Sequence, residues 1–214
     1  MLEKLPHWIG SALANVRAGH DKLAIATLYL AGTARLDVTS PAFAAGGRLP
    51  VRFTADGAGV SPPLLWRGVP DGTHSLALIV EDPDAPAPRP FVHAVVTAID
   101  PALPGLDEGA IRADGDAAGE ADGDTGRNSY LQEGWLPPDP PTGHGSHDYV
   151  FQLFALAAPA GDQAEGRPNA GRSDFRDVID GRILAAGILV GTYSRGQEAD
   201  AGPAGAAVAS APAG

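Results

Sequence analysis

Three short clusters rich in proline or glycine carry the side chains that could do chemistry. They are Val60-Ser61-Pro62-Pro63-Leu64, then Asp82-Pro83-Asp84-Ala85-Pro86 with His93 after a short loop, then Asp139-Pro140-Pro141-Thr142-Gly143-His144-Gly145-Ser146-His147-Asp148-Tyr149. Histidine supplies N–H donors, two when protonated, and a tyrosine hydroxyl supplies another. Backbone N–H groups of a glycine-containing loop can add more. A buried aspartate beside a histidine fixes its tautomer and favours its charged form. If Asp82, His93, His147 and Tyr149 converge, the resulting cavity suits a phosphate-sized anion. No arginine or lysine stands in these clusters, so weak binding that strengthens as pH falls through the histidine range is expected. Proline fixes φ, which makes such loops nearly pre-organised.

Other chemistries fit less well. His93, His144, His147 and Asp82 would supply enough ligands for a metal-dependent hydrolase. The His144-x-x-His147 pair, however, lacks the helical spacing and intervening glutamate of a metalloprotease. No serine stands in a G-x-S-x-G elbow. The stretch Asp114-Gly115-Asp116 begins like a calcium loop, but Ala118 and Thr125 stand where oxygen ligands are needed. The absence of cysteine excludes thiol nucleophiles, thiolate metal sites and disulfides. The expectation is a binding protein rather than an enzyme, with no cofactor and no metal. The alternative is a protein-interaction module that inhibits a kinase or protease through the rim of the same site.

The elements that would position these groups are mostly strands. Leu36–Thr39, Val51–Thr54, Leu64–Arg67, Ser75–Val80, Phe91–Ile99, Tyr149–Leu156 and Gly187–Tyr193 are short β-rich runs between turn signals. Ser173–Ala185 has a helical pattern, with Ser173 as N-cap and Phe175, Val178, Ile179 and Leu184 inward. The fold class is therefore mainly β, two antiparallel sheets in a sandwich with a few peripheral helices. Leu2, Leu5, Ile9, Ala12, Leu13 and Val16 recur at helical spacing before Gly19, which marks 1–34 as an N-terminal helical extension packed on the body or on a second copy in a homodimer. Residues 35–195 form the β domain, 113–126 an acidic flexible insert, and 196–214 a disordered Ala/Gly/Pro-rich tail, since neither of the last two can bury enough apolar surface to offset its ordering entropy.

With 28 glycines and 20 prolines in 214 residues, the composition favours a turn-rich β architecture. The formal net charge of −11 argues against nucleic acid and against adsorption to an anionic membrane. Much of the excess acid lies in 113–126 and in the tail, so a local anion site is not excluded. The longest early apolar stretch, Leu23–Ala31, is far short of a spanning helix, and a cytoplasmic location is expected.

The order SPPL, DPDAP, a strand-borne histidine and PP-x-GHG-x-H-x-Y resembles the phosphatidylethanolamine-binding family, and Leu189-Val190-Gly191-Thr192-Tyr193 resembles the ending of its bacterial, Raf-kinase-inhibitor-like branch. The resemblance runs from about Leu36 to Arg195. It implies a sandwich of two antiparallel sheets and a small cavity that holds phosphate or phospholipid-headgroup groups. The positions it implies for ligand binding are Asp82, Asp84, Pro86, His93, Pro140, His147 and Tyr149. Two departures bear on the pocket. His93 is flanked by Val92 and Ala94 where the family often has an aromatic, and Asp139 replaces a common glycine at the rim, where it would repel an anion or select a ligand with a cationic part.

Overall fold

Residues 76–80 are apolar at every position, the pattern of a strand covered on both faces. In the computed structural model, which describes residues 15–112, 123–160 and 169–195, this segment belongs to β4 (Ser75–Asp82), and all eight residues of that strand are buried. It lies inside a six-stranded sheet between β5 (Phe91–Ile99) and β8 (His147–Leu156); β9 (Ile183–Tyr193) follows β8, and the short β1 (Ala34–Arg35) and β7 (Asp124–Thr125) close the two edges. A second sheet of three short strands, β2 (Asp37–Thr39), β3 (Leu64–Arg67) and β6 (Gly105–Leu106), lies against one face of the first. The fold is the mainly β, two-sheet architecture read from the sequence. All pairings are antiparallel except the edge pair β1–β9, which is parallel.

Strand alternation sorts the core into two layers. Leu76, Leu78 and Val80 of β4 join Phe151, Leu153 and Trp66 between the sheets. Ala77 and Ile79 point the other way, to Phe154 and to Phe175, Val178 and Ile179 of the single α-helix among the described residues, α1 (Arg172–Ile179). Gly187 lets the chain entering β2 cross β9 closely: a Cβ there would lie 2.4 Å from the Leu36 carbonyl oxygen.

Three local readings are corrected. Val51–Phe53 is a 3₁₀ turn, not a strand; Pro50 precedes it and the Thr54 hydroxyl donates to the Val51 carbonyl at 2.9 Å. The helix starts at Arg172, with Gly171 as its N-cap residue and Asp174 accepting from the Gly171 N–H at 3.0 Å, so Ser173 lies within the first turn. It stops at Ile179 because Gly181, at φ 68°, turns the chain, and Leu184 belongs to β9. The acidic insert ends earlier than expected, since Asp124 and Thr125 pair with Thr97 and Val96 of β5. Its remainder, the N-terminal periodicity up to residue 14 and the 196–214 tail lie outside the described residues.

Residues 15–33 run across the α1 side of the large sheet through two 3₁₀ turns, His20–Lys22 and Ile25–Thr27. Glu81, fully buried at the end of β4, holds this segment. Its carboxylate accepts from the Ala24 N–H at 2.7 Å and from Gln152 at 2.8 Å, and pairs with Arg172, which also donates to the Lys22 carbonyl. Gln152 in turn accepts from the Ile25 N–H at 2.8 Å. Removing one partner of a buried ion pair strands the other charge. Arg172→Leu is therefore expected to lower unfolding free energy by about 3 kcal/mol in urea titrations, and a loss below about 1 kcal/mol would mean that Glu81 is adequately solvated without it.

Candidate functional site

Beside the open end of β4 and β5 lies a cavity of about 500 Å³. Five of the seven residues that the family resemblance points to line it: Asp82, Pro86, His93, Pro140 and His147. Phe91, Tyr130, Leu136, Pro137, Asp139 and Pro141 form most of the remaining wall. Neither arginine nor lysine is among its lining residues.

His93 reaches the cavity through a β-bulge. Val80 pairs with Ala94 and Glu81 with Val92, which leaves His93 as the extra residue between them. Such a bulge re-aims a side chain that strict alternation would send elsewhere. The imidazole lies edge-on to Tyr149, with ring centroids 5.1 Å apart. Its Nδ1 is 2.7 Å from the Leu136 carbonyl oxygen, while the His93 carbonyl accepts from the Leu136 N–H at 2.8 Å. This double tie fixes the wall that carries Pro137 to Pro141. Burial pushes the His93 pKa down, against an opposing pull from the Asp82 charge. The ring is thus neutral, with its proton on Nδ1 facing Leu136, and Nε2 carries a lone pair. That Nε2 is buried and has no hydrogen-bond partner, and the same holds for the Tyr149 hydroxyl. Burial, reinforced by the Asp82 charge, pushes the Tyr149 pKa well up, so the hydroxyl keeps its proton and remains a donor. An unsatisfied acceptor and an unsatisfied donor on adjacent rings is an arrangement that a polar ligand or water would complete.

His147 is placed differently from the sequence expectation of a ligand donor. Its Nδ1 lies 2.7 Å from Asp82 Oδ2, and its Nε2 lies 2.7 Å from His144 Nδ1. His144 Nε2 is 3.2 Å from the Val16 carbonyl. The two rings thus link the Asp82 carboxylate to the Val16 carbonyl in one chain of hydrogen bonds. Asp82 Oδ1 accepts from the Asp84 N–H at 2.8 Å. The Asp82 and His147 polar atoms are therefore committed to one another and to the loop.

Asp84 and Tyr149 do not line the cavity. Tyr149, fully buried, stands behind His93. Asp84 turns away: it accepts from the Asp148 N–H at 2.8 Å and pairs with Arg17. Arg17 also donates to the Ser146 carbonyl at 3.2 Å, and the Ala18 and Gly19 N–H groups donate to the Ala85 and Pro83 carbonyls at 3.0 and 2.8 Å. Residues 16–19 thus tie the DPDAP loop to the start of β8. Sequence reasoning missed this clip, and no local motif signals it.

At the rim, the charge of Asp139 is partly offset. Arg195 pairs with it and with Asp56, at 2.7 Å to Asp56 Oδ1. Although burial works against it, the hydrogen bonds that Arg195 donates to these two carboxylates raise its pKa; the bond to Asp56 holds that carboxyl below its usual range. The metal-site reading finds no support in the histidine geometry. Two imidazole nitrogens on one tetrahedral zinc lie roughly 3.3 Å apart, given metal–nitrogen distances of about 2.0–2.1 Å, whereas His144 and His147 are at hydrogen-bond distance, 2.7 Å. Ligand atoms of His20, Asp84 and Asp148 do lie within 4.8 Å of one another, but Arg17 already supplies the cation on Asp84.

Residues 39–194 match the phosphatidylethanolamine-binding protein family. The chain belongs to that family. It is 38% identical over 162 residues to a UPF0098 protein of Methanothermobacter thermautotrophicus, covering 75% of this chain and all of that one. It is 37% identical over 169 residues to a UPF0098 protein of Aquifex aeolicus, covering 78% and 94% of the two chains. The crystal structure of Escherichia coli YbcL, described as a new member of the mammalian PEBP family, superposes with a TM-score of 0.66 at 28% identity, covering 75% of this chain and 99% of YbcL. Arg17 and Val16 lie before the matched region, so the clip on the DPDAP loop comes from outside the family domain.

The depressed His93 pKa has a consequence for stability. Unfolding returns His93 to its ordinary pKa near 6.5, so below that pH the unfolded chain binds more protons than the folded one, and this contribution is lost as pH falls. His93→Asn, which cannot titrate but can still donate to Leu136, should lose less stability than the parent protein between pH 7.5 and 5.5 in denaturant titrations. Parallel losses in the two proteins would show that His93 stays neutral or charged in both states.

Proposed function

We propose that this member of the family binds a small anionic group, a phosphate or the headgroup of a phospholipid, in the His93 cavity, and that it acts by binding, in a regulatory role, rather than by catalysis. The observation that carries the reading is the buried, unpartnered Nε2 of His93, a residue that lines the cavity; the Tyr149 hydroxyl, also unpartnered, stands behind that ring. A monoprotonated phosphate matches His93, since its P–OH can donate to Nε2. A fully ionised group requires His93 to take up a proton first. The pairing of Asp139 with Arg195 reduces the repulsion an incoming anion would meet at the rim. The commitment of both Asp82 oxygens and both His147 nitrogens to internal bonds withholds these two residues from general-base work and leaves His93 Nε2 for the ligand in the proposed reading.

A second reading, a protein-interaction module, draws on Tyr130 and Leu131, which stand 41% and 77% exposed beside the cavity. Leu131 also holds a left-handed backbone at φ 62°, uncommon for a residue other than glycine. Retention of a kinase or protease that is lost in a Tyr130→Ala/Leu131→Ser variant would favour this reading. Among the described residues no helix is long and apolar enough to cross a membrane, and a cytoplasmic location is proposed, to be checked by cell fractionation.

Calorimetry with phosphate and with phosphoethanolamine tests the main reading. Binding should strengthen as pH falls below about 6.5, accompanied by net proton uptake seen as a dependence on the buffer's ionisation heat. EDTA should leave it unchanged. His93→Asn should weaken binding by about 1–3 kcal/mol, and His74→Ala should have no effect. Binding that is flat with pH and indifferent to His93 overturns the cavity mechanism, while a requirement for divalent metal hands the case to metal-dependent chemistry.

A further inference from the structure

A larger groove, of about 900 Å³, adjoins the cavity and shares Ala87 and Phe91 with it. Its lining carries five cationic side chains, Lys22, Arg89, Arg127, Arg172 and Arg176, against one acid, Asp174. Two of the five are engaged: Arg172 pairs with Glu81, and Lys22 donates to the Pro88 carbonyl at 3.2 Å. Among the described residues, the side chains of Arg89, Arg127 and Arg176 make no hydrogen bond or ion pair. This is unexpected in a chain with 26 acidic and 15 basic side chains. Arg17, Arg52, Arg172 and Arg195 all pair with carboxylates. Arg176 borders Asp177 and Asp180 in a neighbouring hollow yet pairs with neither. Asp174 turns to the Gly171 N–H at 3.0 Å. Cations that gather in a concave wall without partners repel one another, and a bound anion relieves that repulsion.

We propose that this groove is a second binding site, distinct from the His93 cavity, for an oligoanion bearing two or more linked phosphate groups. The guanidinium fork matches phosphate oxygens two at a time. Three unpaired forks in a groove of this volume fit several linked phosphates better than one isolated ion. The chemistry is shared by a soluble polyphosphate-bearing molecule and by the phosphates of an anionic lipid surface. Exposed Leu131 and the ring of Phe91 on the same wall would meet the apolar part of either.

The full-length protein is titrated with inorganic tripolyphosphate by calorimetry at low salt, alongside sedimentation with phosphatidylglycerol and phosphatidylcholine vesicles. The combined Arg89→Gln/Arg127→Gln/Arg176→Gln variant should weaken tripolyphosphate binding by roughly tenfold or more, since charge-assisted hydrogen bonds are lost. His93→Asn should change it less than about twofold, which separates this site from the cavity. Affinity should fall steeply with added salt, because the contacts are ionic and exposed. The triple variant breaks no internal pair, so its melting temperature should equal or exceed the parent's; if it does not fold, single replacements should each weaken binding several-fold. Arginine-dependent binding to tripolyphosphate supports the site, whereas arginine-dependent sedimentation with phosphatidylglycerol in the absence of tripolyphosphate binding overturns the linked-phosphate ligand in favour of a lipid surface. Binding that survives the triple replacement, that depends on His93 instead, or that is absent for both probes at low salt overturns the site.

Discussion

At the end of β4 two carboxylates follow one another, and strand alternation sends them to opposite faces of the central sheet. Both are buried, Glu81 completely and Asp82 at 4% exposure. A buried charge is tolerable only when it is paired and fully hydrogen-bonded. Each carboxylate therefore gathers donors from distant parts of the chain. Glu81 collects Ala24, Gln152 and Arg172, and so fastens the N-terminal segment and α1 to the outer face. Asp82 collects the Asp84 N–H and His147, and so orders the DPDAP loop and the start of β8 around the cavity. The need to satisfy these two groups couples the layer that carries the basic groove to the layer that carries the candidate site.

The cavity itself depends on a departure from regular strand geometry. Without the extra residue in β5, alternation would place His93 on the same face as Glu81. The bulge instead turns it beside Tyr149, in a setting dry enough to keep the imidazole neutral. The two histidines of the site thereby separate in role. His147 is locked between Asp82 and His144 and works as structure, whereas His93 ties down Leu136 with one nitrogen and leaves the other for a ligand.

The long strands were legible because burial on both faces writes an apolar run that few other structures produce. The gathering of Asp82, His93 and His147 around one cavity followed from motifs at strand ends, whereas Tyr149 stands behind His93 outside its lining. What stayed hidden has a common character. The β5 bulge is a matter of register, fixed by pairing with β4 rather than by residue type. The 3₁₀ turn at Val51–Phe53 alternates like a strand over too few residues to be told apart. Asp84 shares a motif with Asp82, but its direction depends on Asp148 and Arg17, and the latter is 67 positions away in the sequence. Arg195 and its two aspartates are likewise a tertiary pairing that no spacing announces.

Net charge misleads in the same way, because it averages over environments that the fold keeps apart. A total of −11 suggests a surface hostile to anions. Yet the carboxylates nearest the candidate site are each held by an internal cation or imidazole: Asp84 by Arg17, Asp82 by His147, Asp139 by Arg195. Pairing of this kind reduces the repulsion where an anion would approach. Among the described residues, three of the arginines that pair with no carboxylate, Arg89, Arg127 and Arg176, gather in one groove beside the cavity mouth. Over distances shorter than the screening length of about 8 Å in physiological salt, a ligand responds to those nearby arginines and not to the sum over the chain.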